Sequence, residues 1–239
     1  MRDYWDVQLD DPEPGPYLAV LGAALAPGEV RGGRVLDLGC GTGLSSRLLA
    51  ELGAERVVGV DLSHRWLAFA REHSRGQAID FVQMDLMHAP ALGRFDVVFA
   101  YAVLYYAPDP DAAIAAAAAC VEHGGLLIVG LLEDNPAARI MNGTRHVLAL
   151  TPPALRAAVG SVAAAIAWPL VLARGSRPAW TPFRRRVGAG LFVPARTLYS
   201  AAAATALVES LGFAVERVAR GSGTLAASRH IVVRARRPS

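Results

Sequence analysis

Two kinds of side chain in this 239-residue chain are spaced as if for chemistry. The first are carboxylates placed after apolar runs. Asp37 precedes three alternating glycines, Gly39, Gly41 and Gly43. Asp61 closes the run from Arg56 and lies 22 residues after Gly39, and Asp85 closes the run Ile79–Met84. Glycine suits a turn that needs unusual φ or a close backbone approach to a ligand, because it has no Cβ to clash. A helix beginning behind such a turn offers free N–H groups and a partial positive charge. Ligands of open α/β sheets bind at the carboxyl ends of the strands, where an acid such as Asp61 can accept both hydroxyls of a ribose. Each lone aspartate also reads as a helix or turn cap. The second kind can hold or take a proton. Tyr101, Tyr105 and Tyr106 follow the apolar run Phe95–Ala100, and His146 lies further along. Unperturbed imidazole titrates near neutrality, so His146 is the leading general-base candidate, with His88 and His230 behind it. A surface or capping histidine is the competing reading of His146.

The elements that position these groups follow from the same pattern. Residues 34–38 form a strand, 44–52 a helix, 56–61 a strand and 64–74 a helix. Strands Ile79–Met84 and Phe95–Ala100 come next, then an alanine-rich helix from Asp109 to Val121, broken by Gly124-Gly125 before strand Leu126–Leu132. Strands with little polar alternation belong in a parallel sheet covered on both faces. Their alternation with helices gives the doubly wound α/β class. Regularity stops over 135–195, where Leu155, Val159, Val162, Ile166 and Leu170 form one helical stripe ahead of Arg174, Arg177 and Arg184-Arg185-Arg186. It resumes with a helix from Arg196 to Leu211 and strands Phe213–Val218 and Ile231–Arg234, an expected antiparallel hairpin at the sheet edge. Residues 1–33 hold a helical pattern at Leu18, Leu21 and Leu25 that Pro27-Gly28 closes.

The spacing Asp37-x-Gly39-x-Gly41-x-Gly43 is not the G-x-G-x-x-G of dinucleotide binding. It resembles motif I of the class I S-adenosylmethionine-dependent methyltransferases, of the small-molecule type. Asp61, Asp85, Phe95-Asp96-Val97-Val98 and Gly124-Gly125-Leu126-Leu127 fall in that family's order, so the resemblance covers roughly residues 30–134 and 196–239. It implies a Rossmann-like seven-stranded sheet in the order 3-2-1-4-5-7-6 with an antiparallel edge strand. Residues 1–239 would form a single domain, with 1–33 as an N-terminal helical cap and 135–195 as a helical lid over the acceptor.

The implied cofactor is S-adenosylmethionine. Backbone at Gly39, Cys40, Gly41 and Gly43 would approach its methionine part, and Asp37 and the carbonyls near Ala100 would serve its ammonium group. Asp61 would take the ribose. Asp85, Leu86, Met87 and Leu62 would meet the adenine. Aromatic faces attract a cation, so Tyr101 above all, with Tyr4, Trp5, Tyr105 and Tyr106, would face the sulfonium. The implied activity is methyl transfer to a small-molecule acceptor in specialised metabolism, O-methylation first. Three alternatives stand beside it: C- or N-methylation, a lipophilic or anionic acceptor (quinone-like, polyprenyl or phosphorylated), and S-adenosylmethionine binding without methyl transfer. Many small-molecule relatives carry one or two histidines where this chain has Tyr105-Tyr106. That departure leaves His146 and Tyr106 as the catalytic candidates.

All 24 basic residues are arginine. Residues 1–134 carry 9 Arg against 19 Asp and Glu, while residues 135–239 carry 15 Arg against 2 Glu. The split points either to an anionic partner, including peripheral membrane contact through the basic insertion, or to a basic face docking on an acidic core. Without an appended RNA-binding module or a stacking platform, no nucleic-acid partner is expected. Cys40 and Cys120 make no disulfide framework or metal-ligand spacing. The acidic, proline-bearing N-terminus reads as no signal peptide, which points to a cytoplasmic protein.

Overall fold

The computed structural model describes residues 14–173, 195, 197–221 and 229–239. The chain clusters into two compact units, Pro12–Arg139 with Ala195–Ser239, and Met1–Asp11 with Ile140–Pro194.

The first unit is built on seven strands: β1 (Arg34–Leu38), β2 (Arg56–Asp61), β3 (Ile79–Gln83), β4 (Phe95–Tyr101), β5 (Val121–Leu132), β6 (Ala214–Gly221) and β7 (His230–Arg236). They form one sheet in the expected order β3-β2-β1-β4-β5-β7-β6. Strands β1 to β5 run parallel, whereas β7 is antiparallel to both β5 and β6. Helices α1 (Pro14–Ala24) and α2 (Leu44–Glu51) cover one face, where Val20, Leu21 and Leu49 pack with Val35, Val97, Phe99 and Ile128. Helix α3 (His64–His73) follows β2, with Ser63 capping its N-terminus. On the other face, α4 (Pro110–Ala119) and the last helix, α7 (Ala201–Ser210), bring Ile114, Ala117, Ala204 and Val208 against Leu36, Leu38, Val98 and Val233. The central strands are apolar on both sides because helices cover both sides.

Helix α5 (Pro136–Leu148) crosses the boundary between the units, and α6 (Pro153–Ala173) belongs to the second. Among its described residues, the irregular stretch of the sequence thus holds two helices joined by a short turn. The α6 stripe is exposed at Leu155, Val162 and Ile166. Arg174, Arg177, Arg184-Arg185-Arg186, Tyr4 and Trp5 lie outside the described residues. Among those described, no helix is long and apolar enough to cross a membrane.

Several boundaries differ from the sequence expectation, three of them with a clear physical reason. Helix α4 stops at Ala119, and Val121 already pairs with Phe95, so Gly124-Gly125 lies inside β5 rather than at a helix end. Gly124 has φ +73, and a Cβ on Gly125 would stand 2.8 Å from the Glu122 carbonyl. The pair therefore bends a strand. Helix α7 begins at Ala201, not Arg196: Ser200 caps it by accepting from the Ala203 N–H, and Tyr199 bridges to Glu133 instead. Strand β3 ends at Gln83, before Met84.

The edge hairpin also accounts for part of the charge asymmetry. Arg234 meets Glu29 and donates to Glu216 at 2.7 Å, while Arg236 donates to Glu216 at 2.6 Å and Glu29 at 3.1 Å. Arg217 donates to the Ala23 carbonyl and Arg234 to that of Ala24, at the end of α1. The Arg234 hydrogen bond is the main cause that lowers the Glu29 carboxyl to about 2. These arginines dock the hairpin onto an acidic neighbour. Arg234→Ala should therefore cost roughly 1.5–3 kcal/mol, the scale of hydrogen bonds to charged groups, read as a lower urea midpoint with an unchanged slope.

Candidate functional site

The turn after β1 joins the proposed ligand side of the sheet. Gly39, Gly41 and Gly43 all have φ in the left-handed region, at +70°, +54° and +80°. The space of each missing Cβ is taken by the protein's own side chains. Val103 lies 2.4 Å from that position at Gly39, the Trp66 ring 3.1 Å at Gly41, and Ala70 and Phe81 2.9 Å at Gly43. Backbone conformation and close packing both demand glycine here.

Two carboxylates brace this turn. Asp37 is 1% exposed, and its Oδ2 accepts from the Ser45 hydroxyl at 2.7 Å and the Ser46 hydroxyl at 2.6 Å, both in the first turn of α2. Asp61 accepts from the Gly41 N–H at 3.0 Å through Oδ2 and from the Ser63 N–H at 2.8 Å through Oδ1. It thereby ties the turn to the start of α3. Burial pushes the Asp37 carboxyl up to about 6; the serine hydroxyls pull it down, and Asp61 adds to the rise. Burial also raises Asp61, against the N–H groups of Ser63, Gly41 and Leu62. Cys40 between them is buried, and burial followed by the charges of Asp37 and Asp61 keeps its thiol protonated.

The other expected cofactor residues line the same ends of the strands. Leu62 follows β2 and is 65% exposed. Asp85 caps the short 3-10 helix Leu86–Leu92, its Oδ1 accepting from the Met87 N–H at 3.0 Å. Leu86 is half-buried beside it. Ala100 is buried in β4, paired with Leu38 and Val129.

Beyond β4 the chain turns through Ala102, the one non-glycine among the described residues with positive φ, at +60°. Such backbone strain persists where the surroundings over-determine it and clusters at functional sites. It divides the loop's directions. Tyr101 lies on the β5 backbone, where a Cβ on Gly130 would stand 2.1 Å from its ring. Val103 reaches the glycine turn instead. Tyr105 is buried, its hydroxyl 2.9 Å from His230 Nε2, and Tyr106 tilts against it at 4.5 Å between ring centroids.

His146 lies elsewhere in the chain's organisation. It is exposed in the last turn of α5, in the second unit, with Nδ1 2.9 Å from the Asn142 carbonyl one turn back. Sequence reasoning ranked His230 low and passed over Ser45, Ser46 and Glu133. Topology was the available signal for His230: the first residue of an antiparallel strand beside β5 falls at the carboxyl end of β5.

Burial of Asp37 has a sign that can be checked. A carboxyl raised above its unfolded value of about 3.9 binds more protons folded than unfolded, so stability falls as pH rises from there. The fall continues through the folded value of about 6 and amounts to about 3 kcal/mol. Asp37→Asn removes this dependence while keeping the shape. Thermal melts from about pH 4.5 to 7.5 should move in the variant's favour relative to wild type as pH rises. A constant difference would mean an Asp37 that is ionised throughout.

The chain is similar to known methyltransferases in sequence and in fold. Residues 36–129 match the family model described as a methyltransferase domain. Ubiquinone biosynthesis O-methyltransferases of Bordetella avium (34% identical over 131 residues) and Xanthomonas euvesicatoria (38% over 130) each align with 52% of this chain and 54% of their own length. The chain thus spans about half the length of the curated relatives it matches. Among solved structures, the magnesium protoporphyrin IX methyltransferase of Synechocystis PCC 6803, with bound S-adenosylhomocysteine, superposes with a TM-score of 0.63 at 19% identity, over 99% of this chain and 94% of that one. An S-adenosylmethionine-dependent methyltransferase of Mesorhizobium loti gives 0.60 at 22% identity, over 96% and 100%.

Proposed function

We propose, for a chain whose residues 36–129 match a methyltransferase-domain model and whose sheet has the order β3-β2-β1-β4-β5-β7-β6, that it transfers a methyl group from S-adenosylmethionine to a hydroxyl of a small molecule. The observation that carries the reading is the glycine turn held between Asp37 and Asp61 at the carboxyl ends of β1 and β2. Both serines address Oδ2 of Asp37, and Oδ1 serves the ammonium group of the cofactor. Each carboxylate oxygen has two lone-pair sites, so Asp61 can accept a ribose hydroxyl in addition to the backbone N–H groups it already holds. Asp85, Leu86 and Leu62 frame the adenine, carbonyls near Ala100 add to the ammonium site, and Tyr101 and Tyr106 border the acceptor side.

The chemistry suits such a site. An acceptor oxygen displaces the sulfur in line, its lone pair forming the O–C bond as the C–S bond breaks. The acceptor proton is lost and a neutral thioether leaves. The protein mainly aligns the three atoms and excludes water. The similarity to O-methyltransferases of ubiquinone biosynthesis supports oxygen as the methylated atom. In this reading residues 1–33 form a cap, 135–195 form the acceptor lid with His146 on it, and the protein works in the cytoplasm. Calorimetric titration with S-adenosylmethionine tests the cofactor site. Asp61→Ala should weaken binding by roughly 1.5–3 kcal/mol, and Gly41→Val, which must displace Trp66, should weaken it further. Methyl-labelled S-adenosylmethionine with phenolic acceptors tests transfer. Unchanged affinity in both variants would remove the site, and binding without label transfer would leave a cofactor-binding protein only.

A second reading is favoured by the exposed stripe Leu155, Val162 and Ile166 of α6, followed in sequence by five arginines. It is an acceptor that is lipophilic or anionic and met at a membrane surface. Sedimentation with anionic vesicles should then show salt-sensitive binding that Arg184-Arg185-Arg186→Gln substitution weakens. A protein that ignores such vesicles at low salt restricts the acceptor to soluble compounds.

A further inference from the structure

We propose that His230, paired with the Tyr105 hydroxyl, takes the proton that the acceptor hydroxyl loses during methyl transfer. This rests on the O-methylation reading and names the base within that site. Four observations converge on it. Strand β7 is antiparallel to β5, and its register pairs His230 with Leu132, so an imidazole is delivered to the carboxyl end of the parallel sheet, where ligands of this fold class bind. Nε2 of His230 lies 2.9 Å from the hydroxyl of Tyr105, itself 3% exposed, and the imidazole ring centroid stands 5.1 Å from that of Tyr101. The loop that carries both tyrosines also touches the cofactor turn: Val103 fills the space above Gly39. One short segment thus spans from the proposed methyl donor to His230. Finally, that segment is shaped by the left-handed Ala102, whose N–H donates to the Gly130 carbonyl at 3.2 Å.

Three charged residues neighbour His230 in chain and register. Glu133, next after its register partner, is 7% exposed and accepts from Arg220 at 2.8 Å, with Arg229 Nε at 3.9 Å from its other oxygen. Arg229 precedes His230 in the chain, and Gly221, which follows Arg220, pairs with His230. These three charged residues alternate with His230 along their strands, and two phenols stand near its ring.

The step balances as follows. The acceptor oxygen forms its bond to the methyl carbon while the C–S electrons return to sulfur. The O–H proton ends on the imidazole, giving an imidazolium whose Nε2–H donates to the Tyr105 oxygen. Product release and loss of that proton to water restore the neutral pair.

The test uses the full chain, methyl-labelled S-adenosylmethionine, and two probe acceptors: a catechol, which must lose a proton during transfer, and thiophenol, which is already largely ionised at neutral pH. His230→Gln should slow catechol methylation by roughly a hundredfold to ten-thousandfold, leave thiophenol methylation and S-adenosylmethionine affinity near wild type, and remove the acidic limb of the single-turnover pH profile. Tyr105→Phe should give a smaller loss and a shifted limb. An equal fall on both probes would make His230 a structural residue and overturn the proposal. So would wild-type catechol turnover in His230→Gln, or the same selective loss appearing in His146→Ala instead. A wild-type protein that binds S-adenosylmethionine but labels no phenol or thiol overturns the O-methylation reading itself, an outcome distinct from an active wild type with an undiminished variant.

Discussion

The carboxylate of Asp37 sits buried under the first turn of α2, where two serine hydroxyls share one of its oxygens. Across the glycine turn, Asp61 gathers the Gly41 and Ser63 N–H groups. Burying a charge is expensive unless hydrogen bonds compensate it, and here they do so only partly, since both carboxyls stay above their ordinary range. A site that keeps two acids under-compensated is suited to a ligand that brings a positive charge and hydroxyl donors. The proposed cofactor carries both. Its ammonium group would complete the environment of Asp37 and its ribose that of Asp61.

That turn is also packed from above. Val103, Trp66, Ala70 and Phe81 occupy the space that side chains at the three glycines would need. The consequence is mechanical continuity. Val103 belongs to the loop that carries Tyr101, Tyr105 and Tyr106, so the loop's position is set by contact with the turn. The strained Ala102 lets successive residues of this loop address the sheet edge and the turn in alternation. The acceptor side and the cofactor side of the proposed site share one piece of backbone.

The sheet edge shows how charge asymmetry along a chain can close within the molecule. Arg234 and Arg236 on β7 meet Glu29 and Glu216, and Arg220 meets Glu133. The acidic N-terminal part and the basic C-terminal part are thus partners across the end of α1 and the β6–β7 hairpin. The arginines of the segment after α6 lie outside the described residues.

Much of the sheet was legible in the sequence, because a buried parallel strand has a one-dimensional signature: an apolar run, an acid or glycine at its end, a helix behind it. The glycine turn, Asp61 and the terminal hairpin were readable for that reason. Boundaries were less so. Gly124-Gly125 looks like a helix stop, yet Phe95 recruits Val121 into the sheet, and such pairing is non-local. The occupants of the glycine turn and the serine partners of Asp37 required the folded packing as well. Most of all, His230 stands 125 positions from Tyr105, and nothing in local pattern links them. Sequence determined which residues could serve as acid, base or turn. The antiparallel return of β7 along β5 decided which imidazole meets the loop after β4, because only tertiary structure brings distant positions within hydrogen-bond reach.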